Sequence, residues 1–135
     1  MFLQLFIPTW KFFDQLGTVS KLYYRDLSPD GAMIWLPVFE KPTRNFLNLF
    51  YNPEGNLYLA CVALVDRLVI DVGSKEPLPA EYVEKLESYL LVQNMVRVFL
   101  REKFQTQFLR VQFKIQVESE HASPDDFLIS KELVL

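Results

Sequence analysis

From Leu109 to Glu118 apolar and polar residues alternate without a break: Leu109, Val111, Phe113, Ile115 and Val117 against Arg110, Gln112, Lys114, Gln116 and Glu118. A period of two held this long describes an extended strand with one buried face and one wet face. A slip of one residue would put Val111, Phe113 and Ile115 into water, so the register of this strand is specified. It reads as the central strand of an antiparallel sheet.

The chain before it supplies partners and a covering layer. Val19 to Asp26 and Ala32 to Phe39 are rich in β-branched and aromatic residues, and Ser28-Pro29-Asp30-Gly31 lies between them. Proline presets φ at the second turn position and glycine serves as the left-handed residue, so the segment predicts a β-hairpin. Pro37 cannot donate to a ladder, which places the second strand at a sheet edge or ends it there. Asn45 to Tyr51 has the pattern of a helical turn or two. Asn52-Pro53-Glu54-Gly55-Asn56 reads as a turn, with Asn56 capping a helix to about Asp71. That stretch is apolar on every face from Leu57 to Val65, and a buried strand is its alternative. Pro79 suits the first position of a long helix reaching Phe104. Glu81, Glu84 and Glu87 at its start and Arg97, Arg101 and Lys103 at its end complement the helix dipole, and Glu81 and Lys85 form an i,i+4 pair. Tyr82, Leu86, Tyr89, Val96 and Leu100 form its core-facing stripe. After the alternating strand, Ser119 to Asp126 reads as a polar loop. Phe127 to Leu135 reads as a last strand, with Phe127, Ile129 and Leu133 on one side. The order β-β-α-α-β-β predicts a single α+β domain over residues 1–135, an antiparallel sheet with helices packed on one face.

Composition narrows the function classes. The chain has 135 residues, 50% of them hydrophobic, which is enough for one core and excludes a wholly disordered chain. Its 14 Lys+Arg against 17 Asp+Glu leave a formal net charge of −3, the wrong sign for a nucleic-acid binder. One cysteine, Cys61, excludes an internal disulfide framework and every multi-cysteine metal site. Neither a Walker nor a dinucleotide glycine loop is present, nor a Gly-x-Ser-x-Gly elbow, so no cofactor is expected.

Three places could still carry chemistry. His121, with Glu118, Glu120 and Asp126, concentrates oxygen and nitrogen ligands in one segment; a solvated acidic loop accounts for the same residues. The alternative function is therefore a small metal-dependent or hydrolytic enzyme centred on His121 and its neighbouring carboxylates. Cys61 sits among Ala60, Val62 and Ala63, where an apolar neighbourhood disfavours a thiolate and core packing is the expectation. Asp66, Arg67 and Asp71 read as the exposed edge of a helix end rather than a carboxylate cleft. Tyr23-Tyr24-Arg25-Asp26 reads as an ordinary two-faced strand.

The N-terminus is the least ordinary stretch. Phe2, Leu5, Phe6, Trp10, Phe12 and Phe13 put six large apolar side chains into residues 1–13. No basic residue precedes Lys11 and Pro8 interrupts the apolar run, so it reads as neither a cleavable signal nor a spanning helix. Trp10 beside Lys11 suits an interface, with an amphipathic ring and a snorkelling amine. Ile7-Pro8-Thr9-Trp10-Lys11-Phe12-Phe13-Asp14, then Leu22 to Asp26 and Asp30-Gly31, resembles the Pro-x-Trp-x-Phe-Phe segment of bacterial membrane proteins related to the horizontally transferred transmembrane (HTTM) group. Asn48 to Leu57 is similar to the linker of their soluble domain, so the resemblance covers about residues 3 to 72. It implies an accessory domain beside a membrane and carries over no catalytic residue; the carboxylase chemistry of vitamin K-dependent relatives is not implied. The expectation is a non-enzymatic, membrane-proximal or partner-binding domain. Its six N-terminal apolar residues meet a protein or a membrane surface, with a homo-oligomer as one form of that contact and nucleic acid excluded.

Overall fold

The computed structural model describes residues 18–29, 31, 33–43, 52–74, 78–105, 109–119 and 122–135. Strand β1 (Thr18–Asp26) pairs antiparallel with β2 (Leu36–Pro37) and, along its whole length, with β3 (Arg110–Ser119). On the far side of β3 run β4 (Ala122–Ile129) and then β5 (Leu133–Val134), both antiparallel to it. The sheet order is β2-β1-β3-β4 with β5 also on β3, so the alternating strand is central. Among the described residues three helices separate β2 from β3: α1 (Pro53–Gly73), α2 (Ala80–Val83) and α3 (Glu87–Phe104); the helical turns expected from Asn45 to Tyr51 lie outside the described residues. The fold is α+β.

The core follows the alternation. Val111, Phe113 and Ile115 are fully buried, and across the β1–β3 register they meet Leu22 and Tyr24. Val65 and Leu68 of α1 and Tyr89, Val92, Val96 and Leu100 of α3 close over them. Tyr89 packs on Phe113 with ring centroids 5.7 Å apart, and Tyr24 meets Phe104 edge-on at 6.0 Å. Both helices therefore lie on one face of the sheet.

Several local expectations are corrected. The Ser28–Gly31 turn exists, with the Gly31 N–H donating to the Ser28 carbonyl at 2.8 Å, but Gly31 is not left-handed. Its missing side chain matters instead, because a Cβ there would lie 2.9 Å from the Asp26 carbonyl oxygen. Among the described residues of this connection Met33 is left-handed (φ 49°), after which the chain regains β1 only at Leu36, so the second strand shrinks to two residues ending on Pro37. Helix α1 begins one turn earlier than the sequence implies. Asn52 is the cap, its Oδ1 accepting from the Gly55 N–H at 2.8 Å, and Pro53 opens the helix. The buried-strand alternative for this stretch falls with it.

The long helix from Pro79 is two helices. Leu86 has extended backbone (ψ 137°), and i→i−3 bonds from Lys85 and Leu86 close the end of α2. The break turns Val83 and Leu86 onto the core, leaves Tyr82 60% exposed rather than in the stripe, and removes the continuous helix that a Glu81–Lys85 pair requires. Lys85 lies over the Tyr82 ring instead.

At the C-terminal end the expected polar loop is strand. β4 starts at Ala122 and holds Pro124 at a register shift, where no ladder donor is needed. A second shift makes Phe127 the extra residue, so Leu128 faces Ile115 while Ile129 lies opposite Lys114 on the outer face. Phe127 and Ile129 are thus exposed, and of the three residues expected inside only Leu133 is buried.

Candidate functional site

The face of the sheet opposite the described helices is a built polar layer. Cross-strand register sets Arg25 opposite Gln112 and Tyr23 opposite Lys114. The Arg25 guanidinium donates to Gln112 Oε1 at 2.9 and 2.6 Å, and Gln112 Nε2 donates to the Ser130 carbonyl at 2.6 Å. Trp35 lies across this layer with its ring centroid 4.7 Å from the Arg25 guanidinium and 4.9 Å from Lys114 Nζ. Lys114 is only 8% exposed; Asp126 accepts from its ammonium at 2.8 Å, and the Tyr23 ring lies 5.8 Å away. A cation tolerates such burial because a carboxylate and two aromatic faces replace its water. These donors are engaged with one another, so the layer is held together by its own contacts.

The candidate metal ligands divide. Glu118 is held by Lys21 at 2.6 Å, a bond that raises the Lys21 pKa, and Asp126 is held by Lys114 and, at 3.3 Å, by Gln116. His121 and Glu120 lie outside the described residues. Among the described residues no group of three His, Cys, Asp or Glu side chains could hold a metal ion. Cys61 is buried on α1, and burial pushes its thiol pKa up, as an inert core thiol requires. Arg67 and Asp71 form an i,i+4 ion pair at 3.0 Å along the outer side of α1. Phe2, Leu5, Phe6, Trp10, Phe12 and Phe13 also lie outside the described residues.

The two edges of the sheet differ in character. The β4 edge presents Pro124, Asp125 and Asp126, which discourage pairing with another strand. The β1–β2 edge carries large exposed apolar side chains, with Lys21, Glu40 and Lys41 beside its groove. Met33, Ile34 and Leu36 are 63%, 60% and 45% exposed, and Val19 is 51% exposed at the other end. Between them the β2 ladder stops at Tyr23, with one more bond from the Val38 N–H to the Leu22 carbonyl. Beside the remaining part of β1 opens a groove of about 360 Å³, lined by Val19, Leu22, Phe39, Tyr58 and Val62 among others. Phe39 forms its wall, packed edge-on against Tyr58 at 5.6 Å and tilted against Phe99 at 6.1 Å. A second hollow of about 400 Å³ lies around Phe39, Tyr58, Leu57, Cys61 and Phe99.

No family model, no curated protein and no solved structure matches this chain. The site rests on its own geometry.

Sequence reasoning missed both the Trp35 platform and the apolar edge. Outward positions in β1 and β3 were visible as Tyr23, Arg25, Gln112 and Lys114, but only the register brings them together. The exposed edge is not legible because Ala32 to Phe39 reads as strand up to or past Pro37, whereas only Leu36–Pro37 pair with β1 and Met33 and Ile34 stay outside the ladder.

Proposed function

We propose that the protein is a non-enzymatic accessory domain that rests against a membrane surface through an apolar edge. On this reading residues 1–13, with Phe2, Leu5, Phe6, Trp10, Phe12 and Phe13, extend the exposed edge of Met33, Ile34, Leu36 and Val19. The observation that supports it is the exposed run of Met33, Ile34 and Leu36 with Val19 on one sheet edge, set against an edge where the exposed Phe127 and Ile129 adjoin Pro124, Asp125 and Asp126. Chain order adds to it, because the aromatic segment leads directly into β1 at that edge. No described helix is long and apolar enough to cross a membrane, so the contact considered is peripheral.

The test is flotation with vesicles of phosphatidylcholine and phosphatidylglycerol. The full chain is expected to float. A chain lacking residues 1–13 and an Ile34→Asp variant are expected to melt like the parent and stay at the bottom of the gradient. A full chain that does not float, or a truncation that unfolds, removes this reading. The second result would put the segment in the domain's own core.

A further inference from the structure

Helix α3 carries a second surface, remote in kind from the strand edge. Its inner face is occupied by Ser88, Tyr89, Val92, Val96 and Leu100, all buried. At 100° per residue, Glu87, Leu90, Leu91, Asn94, Val98 and Arg101 fall within an arc of roughly 100° on the opposite side. All six are exposed, with Leu90 at 45%, Leu91 at 53% and Val98 at 56%. Glu87, Leu91, Asn94, Val98 and Arg101 recur at alternating intervals of four and three, the spacing of a helix-pairing seam about 21 Å long. An outward helix face with three large apolar residues at this spacing lacks the polar character that water favours.

The seam is nearly symmetric about Asn94. Glu87 stands seven residues before it and Arg101 seven after; Leu91 stands three before and Val98 four after. Only one arrangement uses that symmetry. When a second α3 lies antiparallel with the two-fold axis at Asn94, each Glu87 meets the other copy's Arg101 and each Leu91 lies beside the other copy's Val98, with Leu90 on the flank. A parallel pair would place Glu87 on Glu87 and Arg101 on Arg101, with like charges opposed at both ends. The Asn94 side-chain oxygen accepts from Arg97 at 3.5 Å, the outer limit of a hydrogen bond, so its amide can re-pair at small cost across the axis.

We infer that α3 is the interface of an antiparallel, two-fold homodimer centred on Asn94. Its self-complementary pattern, acid at one end, base at the other and apolar residues between, is what an isologous interface requires. The inference does not rest on the membrane reading, since it involves neither residues 1–13 nor the β1–β2 edge.

The test uses the full chain in sedimentation velocity over a concentration series. The parent is expected to show a monomer–dimer equilibrium that also survives in Ile34→Asp. Glu87→Arg alone and Arg101→Glu alone each oppose like charges twice per dimer and are expected to weaken association about tenfold. Mixing the two variants restores opposite charges at both pairs, so the mixture is expected to dimerise as the parent does. An Asn94→Cys variant is expected to crosslink to dimer with a short bismaleimide, whereas Ala63→Cys on α1 is not. Each charge reversal opposes the α3 dipole at its own end, so a small fall in melting temperature is expected in both, and association is compared well below either melt. A parent that stays monomeric, single variants without effect, a mixture that is not rescued, or equal crosslinking at both cysteines would each overturn the inference. Vesicle flotation lost in Leu90→Asp while the parent is monomeric would assign the face to lipid instead.

Discussion

Ser130→Ala should destabilise the protein far more than removing one hydroxyl from a serine usually does. On the outer side of β3 the ladder is interrupted, with β4 ending at the pair Lys114 and Ile129 and β5 beginning at Val111 and Leu133. Ser130 fills the gap. Its N–H donates to the Phe113 carbonyl at 2.8 Å, and its Oγ accepts from the Phe113 N–H at 2.9 Å and donates to the Lys131 carbonyl at 2.8 Å. Ser130 is 3% exposed and Phe113 fully buried, so water cannot replace the lost acceptor. A buried N–H left without a partner costs about 1–3 kcal/mol, and for a domain of this size that lowers Tm by roughly 3–10 °C. Urea melts of parent and variant give the loss, with Ser123→Ala on the exposed β4 edge as a near-silent control. Amide exchange locates it: the Phe113 N–H should lose protection while Ile115 keeps its own. A loss below about 0.5 kcal/mol, the usual scatter of surface substitutions, together with an unchanged Phe113 amide, would refute the reasoning.

Gln105→Gly should stabilise the protein, because Gln105 ends α3 in the left-handed region (φ 49°). Glycine adopts that conformation without a Cβ clash, and the expected gain of about 0.5–1 kcal/mol is read from urea melts. Stability should also fall as pH rises past 9. Burial raises the Cys61 thiol above its ordinary 9.0, and burial first, then nearby Glu84, raises Tyr89 above its ordinary 10.0. Above those ordinary values the unfolded chain has released protons that the folded chain still holds, so the slope of unfolding free energy with pH is negative. Tyr89→Phe should flatten the upper part of that fall in melts collected at stepped pH.

The strand that most constrained the fold in the sequence is where the structure agrees most fully, because Val111, Phe113 and Ile115 have no alternative burial. The helices were legible as helices, since their apolar periodicity is local, but their ends were not. Nothing near Leu86 marks the break between α2 and α3; no Gly or Pro lies between Ala80 and Phe104, and packing of Val83 and Leu86 on the core decides it. Asn52 was visible as a turn residue, and its role as a cap depends on Pro53 opening the helix. The faces of β4 were unreadable because bulges reset the period, and a polar run such as Ser123-Pro124-Asp125-Asp126 becomes strand only when β3 offers an edge. The Trp35 platform joins Arg25 to Gln112, residues 87 positions apart, and such a contact leaves no trace in local pattern.

That long-range pairing of β1 with β3 has a consequence for the order of events in folding. Thr18 meets Ser119 and Asp26 meets Val111, so the sheet cannot form until nearly the whole chain is present. The β3–β4 hairpin and the α1–α3 pair are local by comparison and can assemble early. β1 must then close a large loop to dock, a step whose entropy is spent before any contact repays it. During synthesis an emerging N-terminal third carries one strand edge, a tight turn and a cluster of aromatic residues with no mate, the condition in which nascent chains aggregate or recruit chaperones. Slow, chain-length-gated closure of β1 is therefore built into the topology, and a circular permutant that links the two chain ends and opens the chain before Pro53 shortens the separation of β1 from β3 and should refold faster than the natural order of the same residues.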